Sequence, residues 1–341
     1  MTTIAIAMAT HNGETYLAQQ LASLAEQTHY PAELVVVDDA SSDGTLQVLD
    51  GFSRQAPFPV RLHKNVQRLG YREGFIKAAD LCSADVIAFC DQDDIWSRLK
   101  IQMLQRAFDE NPETLLVYHN STIVNETGTS LTTTFSRTTP SHTTERLELS
   151  PCLVIPGHAQ AFRRSLNVFS ALHPYSIDPY APRKLMPHDM WMPFWASSLG
   201  HVQYLSDTLV NYRIHSGNAS GWHVTWRSFA ADHIRSAWMY IRANETIASN
   251  REELLGRAQH LLEQTQFPAL DPALDSYKKF KAKASQRASV YTKTSIFSRA
   301  RALLAFTARG NYRWGSRCHG IQAFLLDLAV GVFGGWLRPR T

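Results

Sequence analysis

A chain of 341 residues that is 44% hydrophobic and 19% charged can bury a large core, which excludes a disordered or fibrous protein. Its net charge of +4, with 14 histidines taken as neutral, is too mild to demand nucleic acid. The cysteines Cys82, Cys90, Cys152 and Cys318 are scattered, with no Cys-x-x-Cys; this excludes a zinc knuckle or a disulfide framework and fits a reducing compartment.

Met1-Thr2-Thr3 leads straight into the apolar run Ile4–Ala9, so no signal peptide is expected. After the break at Thr10-His11-Asn12-Gly13, apolar residues recur at helical spacing (Tyr16, Leu17, Leu21, Leu24) as far as Gln27. Leu34-Val35-Val36-Val37 is a β-branched strand that ends in Asp38-Asp39. The turn-rich Ala40-Ser41-Ser42-Asp43-Gly44-Thr45 opens the next helix, with Ser42 or Asp43 as its cap. Val60-Arg61-Leu62 is a third strand, and Gly70 leads into a helix through Phe75, Ile76 and Ala79. A fourth strand, Val86-Ile87-Ala88-Phe89, runs into Asp91-Gln92-Asp93-Asp94-Ile95-Trp96. This alternation predicts an α/β fold with a mostly parallel central sheet covered by helices. Successive parallel strands place their C-terminal ends on one rim, so the pairs Asp38-Asp39 and Asp93-Asp94 are expected to meet across one cleft.

Further on, the pattern predicts a helix over 97–108, a strand at Leu115–Tyr118 and a Thr- and Ser-rich loop or hairpin over 125–150. A short helix is expected near Phe162–Phe169, and another begins at His188-Asp189-Met190-Trp191. Two strand-like pieces follow, Val202–Leu205 and Thr208–Arg213. From about residue 225 the texture becomes helical, with helices expected over 226–247, 251–265, 272–284 and 295–307. The expected division is a domain over 1–224 and a helical region over 225–341. No run reaches the ~18–20 apolar residues of a membrane span, and the nearest, Ile321–Leu337, is interrupted by Asp327.

Clustered carboxylates repel one another unless they have a partner. Asp91, Asp93 and Asp94 either hold a hard divalent cation, Mg²⁺ or Mn²⁺, which shares its shell readily with phosphate oxygens, or form a solvated turn capping the next helix. Thr10 and Asn12 offer hydrogen bonds to a base. The Asp38-Asp39 strand end either accepts from a pyrimidine or ribose or simply turns the chain. There is no Gly-x-Gly-x-x-Gly after the first strand and no Walker A loop, which counts against NAD and P-loop chemistry. Arg68 and Arg72 flank Gly70, where arginine either pairs with phosphate or is solvated.

Thr10-His11-Asn12-Gly13, Val36–Thr45 and Asp91–Trp96, followed in order by Pro156-Gly157, His188–Trp191 and Tyr212–Gly221, resemble glycosyltransferase family 2, the inverting GT-A enzymes. The Asp-Gln-Asp-Asp-Ile-Trp and Tyr-Arg-x-His-x-x-Asn forms are similar to its rhamnosyltransferase-like branch, which builds bacterial surface polysaccharides. The resemblance implies a donor pocket that includes Asp39, with Thr10, Asn12 and Glu14 near it and Arg72 and Asp91 alongside. It implies a metal site from Asp91 and Asp93, with Asp93 the direct ligand and His215 either completing the site or touching the diphosphate; Asp94, a third acid, leaves open which two hold the metal. It also implies Asp189 as the base that takes the acceptor hydroxyl's proton. Read without the family, His188-Asp189 is equally a helix N-terminus and His215 a surface histidine; Trp96, Trp191 and Trp195 are either core residues or sugar platforms.

The expectation is a metal-dependent inverting glycosyltransferase, cytoplasmic or peripheral on the inner membrane face. It would move a sugar, rhamnose from dTDP-rhamnose first and a UDP-hexose or UDP-N-acetylhexosamine next, to a growing or lipid-linked glycan. A non-catalytic nucleotide-sugar-binding scaffold is the alternative of another class. Arg299, Arg301, Arg309, Arg313 and Arg317, interleaved with Leu303, Leu304, Phe306 and Trp314 and followed by Phe324-Leu325-Leu326, Phe333 and Trp336, suit either an anionic membrane surface or packing within the protein.

Overall fold

The computed structural model describes residues 1–218, 231–262, 267–311, 324 and 327–333. The chain divides into two compact units. The first comprises Met1–Leu149, Val154–His173 and Met186–Trp222; the second comprises Ser150–Leu153, Pro174–Leu185 and His223–Thr341.

In the first unit, β1 (Ile4–Thr10), β2 (Glu33–Asp38), β3 (Val60–Lys64) and β4 (Val86–Cys90) alternate with α1 (Glu14–Ala25), α2 (Thr45–Ser53) and α3 (Tyr71–Asp80). These four strands pair in parallel in the order β3-β2-β1-β4. Their apolar runs account for this: β1, β2 and β4 are buried almost throughout, as strands covered on both faces must be. The chain order reverses around β1, which has β2 on one side and β4 on the other. A crevice therefore opens at the C-terminal ends of these strands, where Thr10, Asp38 and Asp91 stand.

The remaining strands widen the sheet in mixed orientation. β5 (Ile95–Trp96) precedes α4 (Lys100–Glu110), and β6 (Thr114–Val124) follows it. The Thr- and Ser-rich segment contributes β7 (Ser130–Thr133) and β8 (His142–Thr144). β9 (Gln160–Arg163) lies antiparallel between β4 and β6, and α5 (His188–Leu199) leads into β10 (His201–Arg213). β10 is parallel to β6, and both run in the sense of β4.

Three expectations change here. The helix expected near Phe162 is strand β9, followed by a 3₁₀ segment, Arg164–Tyr175; its strand character comes from partners on both sides rather than from local pattern. The helix expected from Ser97 begins at Lys100, because Ile95 and Trp96 pair with β10 first. The two pieces expected over 202–213 are one strand whose register shifts between Leu205 and Asn211.

The second unit is helical. The segment expected as two helices is one, α6 (Ala231–Leu262), and residues 226–230 and 263–266 lie outside the described residues. Asn250 does not break it: its side chain accepts from Ile177 N at 2.9 Å and donates to Tyr175 O at 3.0 Å, so its polar groups are spent outside the helix. α7 (Asp271–Thr292), α8 (Ile296–Ala308) and a π-helical turn, Asp327–Phe333, pack around Ile241, Tyr291, Leu303 and Val332. Asp327 is fully buried, held by Arg287 Nε at 2.8 Å and the Tyr291 hydroxyl at 2.6 Å. Arg313, Trp314, Arg317, Leu325, Leu326 and Trp336 lie outside the described residues. Among the described residues, no helix is long and apolar enough to cross a membrane.

Candidate active site

Asp38 and Asp39 take up different tasks at the end of β2. Asp38 accepts from the Thr10 hydroxyl at 3.0 Å and from Ser41 N at 3.0 Å, which fixes the Thr10 side chain at the end of β1. Asp39, 4% exposed, accepts from Leu69 N and Gly70 N, each at 2.7 Å, and from Asn65 Nδ2 at 2.9 Å. Burial pushes the Asp39 carboxyl upward, but the hydrogen bonds from Leu69, Asn65 and Gly70 outweigh it and hold the pKa below the usual carboxylate value. Gly70 takes a φ of 87°, a conformation natural to glycine, as the loop turns into α3.

The two loops after β1 and β2 cap each other's helices. Asp43 accepts from Glu14 N at 3.1 Å, and Glu14 accepts from Gly44 N at 2.9 Å at the start of α2. Each carboxylate thus sits at the positive end of the other's helix. Asn12 accepts from Ser42 N at 2.8 Å. The polar ends of Asn12 and Glu14, expected in a base pocket, are engaged in joining the two loops.

The Asp91–Asp94 turn splits into two groups. Asp91 Oδ2 and Asp94 Oδ2 lie 3.6 and 3.7 Å from His158 Nδ1. One ligand atom from each of these three residues falls within a 4.8 Å span. Asp93 turns the other way and meets His215, with Oδ2 2.9 Å from Nε2. Asp94 has no exposure; its Oδ1 accepts from Arg213 N at 3.0 Å, and its buried Oδ2 has no hydrogen-bond partner. Burial first, then Asp93 and Asp91, raise the Asp94 carboxyl well above its ordinary value. Burial pushes Asp91 upward too, but the neighbouring His158 imidazole holds it below the ordinary value.

The fold delivers these groups from four directions. Antiparallel β9 begins on the same rim where β4 ends, so the residues just before it, Gly157-His158-Ala159, arrive beside Asp91. His158 Nε2 meets Ser121 Oγ on β6 at 3.0 Å, and its ring stacks on Tyr212 of β10 at 4.6 Å. Arg213 braces the acidic turn: Nε donates to Asp93 O at 3.1 Å, and a terminal nitrogen donates to Gln19 Oε1 at 2.8 Å. Asn218 accepts from His215 N at 2.6 Å and donates to Arg213 O at 3.1 Å. The Tyr-Arg-x-His-x-x-Asn spacing is therefore a clamp that aims His215 at Asp93.

α5 contributes His188 and Asp189. The His188 ring is buried against Phe75 at 4.0 Å, with Nδ1 3.7 Å from Asp189 Oδ1. Burial depresses its pKa; Asp189 and Asp91 oppose this, while His158 and Arg72 add to it. Any Cβ at Gly157 would collide with this ring, so the glycine lets His188 come close. The Arg72 guanidinium lies 4.7 Å above the Tyr71 ring, while Arg68 is exposed. Asp189 stays partly exposed, at 25% of its side chain. Trp191 and Trp195, expected as sugar walls if not core, are core: both are fully buried, with Trp195 stacked on Phe169 at 4.0 Å. Trp96 is likewise buried.

Two residues at this site escape a reading of the sequence. His158 directly follows Pro156-Gly157, so a ligand-bearing residue next to that pair was the available signal. Lys100 lies at the head of the buried stripe Lys100, Leu104, Ala107 and Phe108 on α4, and a lysine in an apolar helical stripe is such a signal too. Its Nζ donates to His158 O at 2.6 Å and lies 3.5 Å above the Trp96 ring. Burial lowers its pKa to about 7, against the pull of Cys90, Asp94 and Asp91.

Residues 5–169 match the family model described as Glycosyl transferase family 2, somewhat under half of the chain. The match places a similarity to that family on this segment. Similar proteins include an uncharacterized glycosyltransferase of Nostoc sp., 28% identical over 226 residues, covering 63% of this chain and 66% of that protein. An uncharacterized protein of Mycobacterium tuberculosis is 25% identical over 237 residues, 69% of this chain, and the match spans 63% of that protein's length. The dTDP-rhamnosyl transferase RfbG of Shigella flexneri is 38% identical over 101 residues, 28% of this chain and 34% of that one. Among solved structures, S. aureus TarS 1-349 in complex with UDP aligns with a TM-score of 0.56 at 15% identity, covering 98% of this chain and 89% of that one. The likeness establishes the fold, an α/β GT-A-like domain followed by C-terminal helices.

Proposed function

We propose that the chain is a metal-dependent inverting glycosyltransferase, with catalysis in residues 1–224. The observation that carries this reading is the convergence, on one rim, of a carboxylate–imidazole pair (Asp93–His215, 2.9 Å), a buried unpartnered carboxylate oxygen (Asp94 Oδ2) and a partly exposed carboxylate at a helix start (Asp189). Carboxylate oxygens with imidazole nitrogens suit Mn²⁺, and Mg²⁺ where oxygens dominate, so the residues fit such an ion. Asp91, Asp94 and His158, whose ligand atoms already fall within 4.8 Å of one another, would hold it, with Asp93 and His215 joining once their mutual hydrogen bond gives way. When bound, the ion offsets the charge that develops on a departing nucleoside diphosphate.

The chain's own residues divide the remaining work. Thr10, fixed by Asp38, and Asp39 with its Asn65–Gly70 loop line the nucleotide side; Asn12 and Glu14 hold the loop walls there, and Arg72 flanks the sugar side. Asp189 takes the proton from the acceptor hydroxyl, with the buried His188 ring 3.7 Å from its carboxylate. A single base carboxylate suits transfer with inversion, whereas a glycoside hydrolase typically pairs two across the bond. We further propose dTDP-rhamnose as donor, supported by the stretch shared with the Shigella rhamnosyl transferase, and a growing or lipid-linked bacterial surface glycan as acceptor. A UDP-hexose or UDP-N-acetylhexosamine is the second donor reading, since TarS has been solved with UDP and UDP-GlcNAc.

A thermal-shift panel of dTDP- and UDP-sugars, with and without Mn²⁺, tests this reading. A cognate donor at ~100 Kd stabilises the fold by about 2.7 kcal/mol, which raises the melting temperature, and the rise should require the metal. If no nucleotide sugar moves the transition, the reading is lost.

A further inference from the structure

The second unit carries a surface that the proposed chemistry does not use. From Lys278 to Leu326 the sequence contains lysines and arginines but not one aspartate or glutamate. α8 lies inside this stretch, and one of its faces is open. Phe297 is 83% exposed and Leu304 70% exposed, while Leu303 and Phe306 on the other face are buried. Phe297, Arg301, Leu304 and Ala308 follow one another at spacings of four, three and four, so they share a face. Two large apolar side chains thus project outward with arginine between and beyond them. Beside this face, sharing Arg301 with it, a cavity of about 420 Å³ lies between α7 and α8. Gln286, Ser289, Lys293, Ser298, Arg301 and Arg309 are among its lining residues, which include no carboxylate.

Apolar tips ringed by cations, beside a basic pocket furnished with hydroxyl and amide groups, match the boundary of an anionic bilayer. There, acyl chains lie a few ångströms below phosphate oxygens. We propose that the α7–α8 face docks on an anionic phospholipid membrane, with Phe297 and Leu304 in the acyl boundary and a lipid phosphate in the pocket between the helices. A second copy of the chain is the poorer occupant. A two-fold pairing through this face would set its cations against their own copies with no carboxylate there to relieve them. Since no helix among the described residues is long and apolar enough to span a bilayer, the contact is peripheral.

The test uses the full chain in co-sedimentation with vesicles of phosphatidylcholine alone and of phosphatidylcholine mixed with phosphatidylglycerol. No nucleotide sugar is present, so the result is independent of the donor assignment. Binding is expected only to the mixed vesicles and should weaken as salt is added. Phe297→Ser with Leu304→Ser, and separately Arg301→Glu with Arg309→Glu, should each lower vesicle affinity about tenfold or more while leaving the melting temperature unchanged. Equal binding to both vesicle types, or variants that bind as well as the parent, would overturn the proposal. So would variants whose effect is to convert a dimer to a monomer in sedimentation velocity.

Discussion

The strands β2 and β4 flank β1 and end on the same rim in acidic residues, yet the two acidic ends are built in opposite ways. At Asp38-Asp39 each carboxylate is satisfied by hydroxyls and backbone N–H groups, and the pKa of Asp39 is held down despite burial. At Asp91–Asp94 three carboxylates crowd together, a buried oxygen has no hydrogen-bond partner, and the pKa of Asp94 is driven up. The first end is finished as a structure within the chain and stabilises it. The second carries a standing electrostatic cost that the proposed cation would relieve. Identical residue types at equivalent strand ends are thus satisfied within the chain in one place and left unsatisfied in the other, and the count of hydrogen bonds separates them.

The strongest way to sharpen the contrast lies at the working end. Asp189→Asn keeps the shape of α5 but removes the proposed base, so turnover should fall by ~10²–10⁴-fold while donor affinity, measured by calorimetry, holds. Full turnover in this variant would remove Asp189 from the reaction. Next in size, Asp93→Asn should weaken Mn²⁺-supported donor binding by about tenfold or more without lowering stability in urea, because it takes a charge away from Asp94.

Asp39→Asn should do the reverse at the other strand end. It weakens charge-assisted hydrogen bonds to Leu69, Gly70 and Asn65, so a loss of about 2 kcal/mol in urea unfolding is expected, with faster amide exchange at Leu69 and Gly70. The pH dependence has a fixed sign. The folded pKa of Asp39 lies below the unfolded value, so its contribution is complete above an unfolded pKa of ~3.9. That contribution is lost as pH falls through the folded pKa, so the gap between parent and variant should close in acid. A gap that widened there would contradict the assignment. The smallest effect is Glu14→Ala, which removes a helix cap: about 0.5–1 kcal/mol of stability, with donor affinity unchanged. A large drop in donor affinity instead would move Glu14 from the loop wall to the base pocket.

Much of the first unit was readable from residue order. β1, β2 and β4 are apolar runs whose lengths and endings define strands with little reference to the rest of the chain, and glycine and aspartate punctuate them. β9 was not readable, because Gln160–Arg163 becomes a strand only by insertion between β4 and β6, a non-local pairing without a local pattern. The same limit applies to the site. The acidic turn was evident by composition, but its division, Asp91 and Asp94 toward His158 and Asp93 toward His215, depends on how Arg213 holds the turn, and Arg213 lies some 120 positions away. In the second unit, the helices expected over 226–247 and 251–265 are the single α6, and Asn250 at the expected gap directs its side chain to Ile177 and Tyr175.

Gln92 gives the rim a further property. Its Oε1 accepts from His11 N at 2.9 Å, and its Nε2 donates to His11 O at 3.1 Å. A primary amide that meets both groups of one residue imitates a neighbouring strand, so it prolongs the β1–β4 partnership beyond the point where backbone pairing stops. It grips the peptide and ignores the side chain. Position 11 is therefore open to chemical variation as far as this clasp is concerned, while the count of residues between Thr10 and Gly13 is not, since one insertion would present the amide with the wrong pair of groups. Glutamate at position 92 could still accept but could not donate. The clasp thus couples the nucleotide-side loop to the acidic turn as one mechanical piece, and the tolerance it sets is for substitution rather than for change of length.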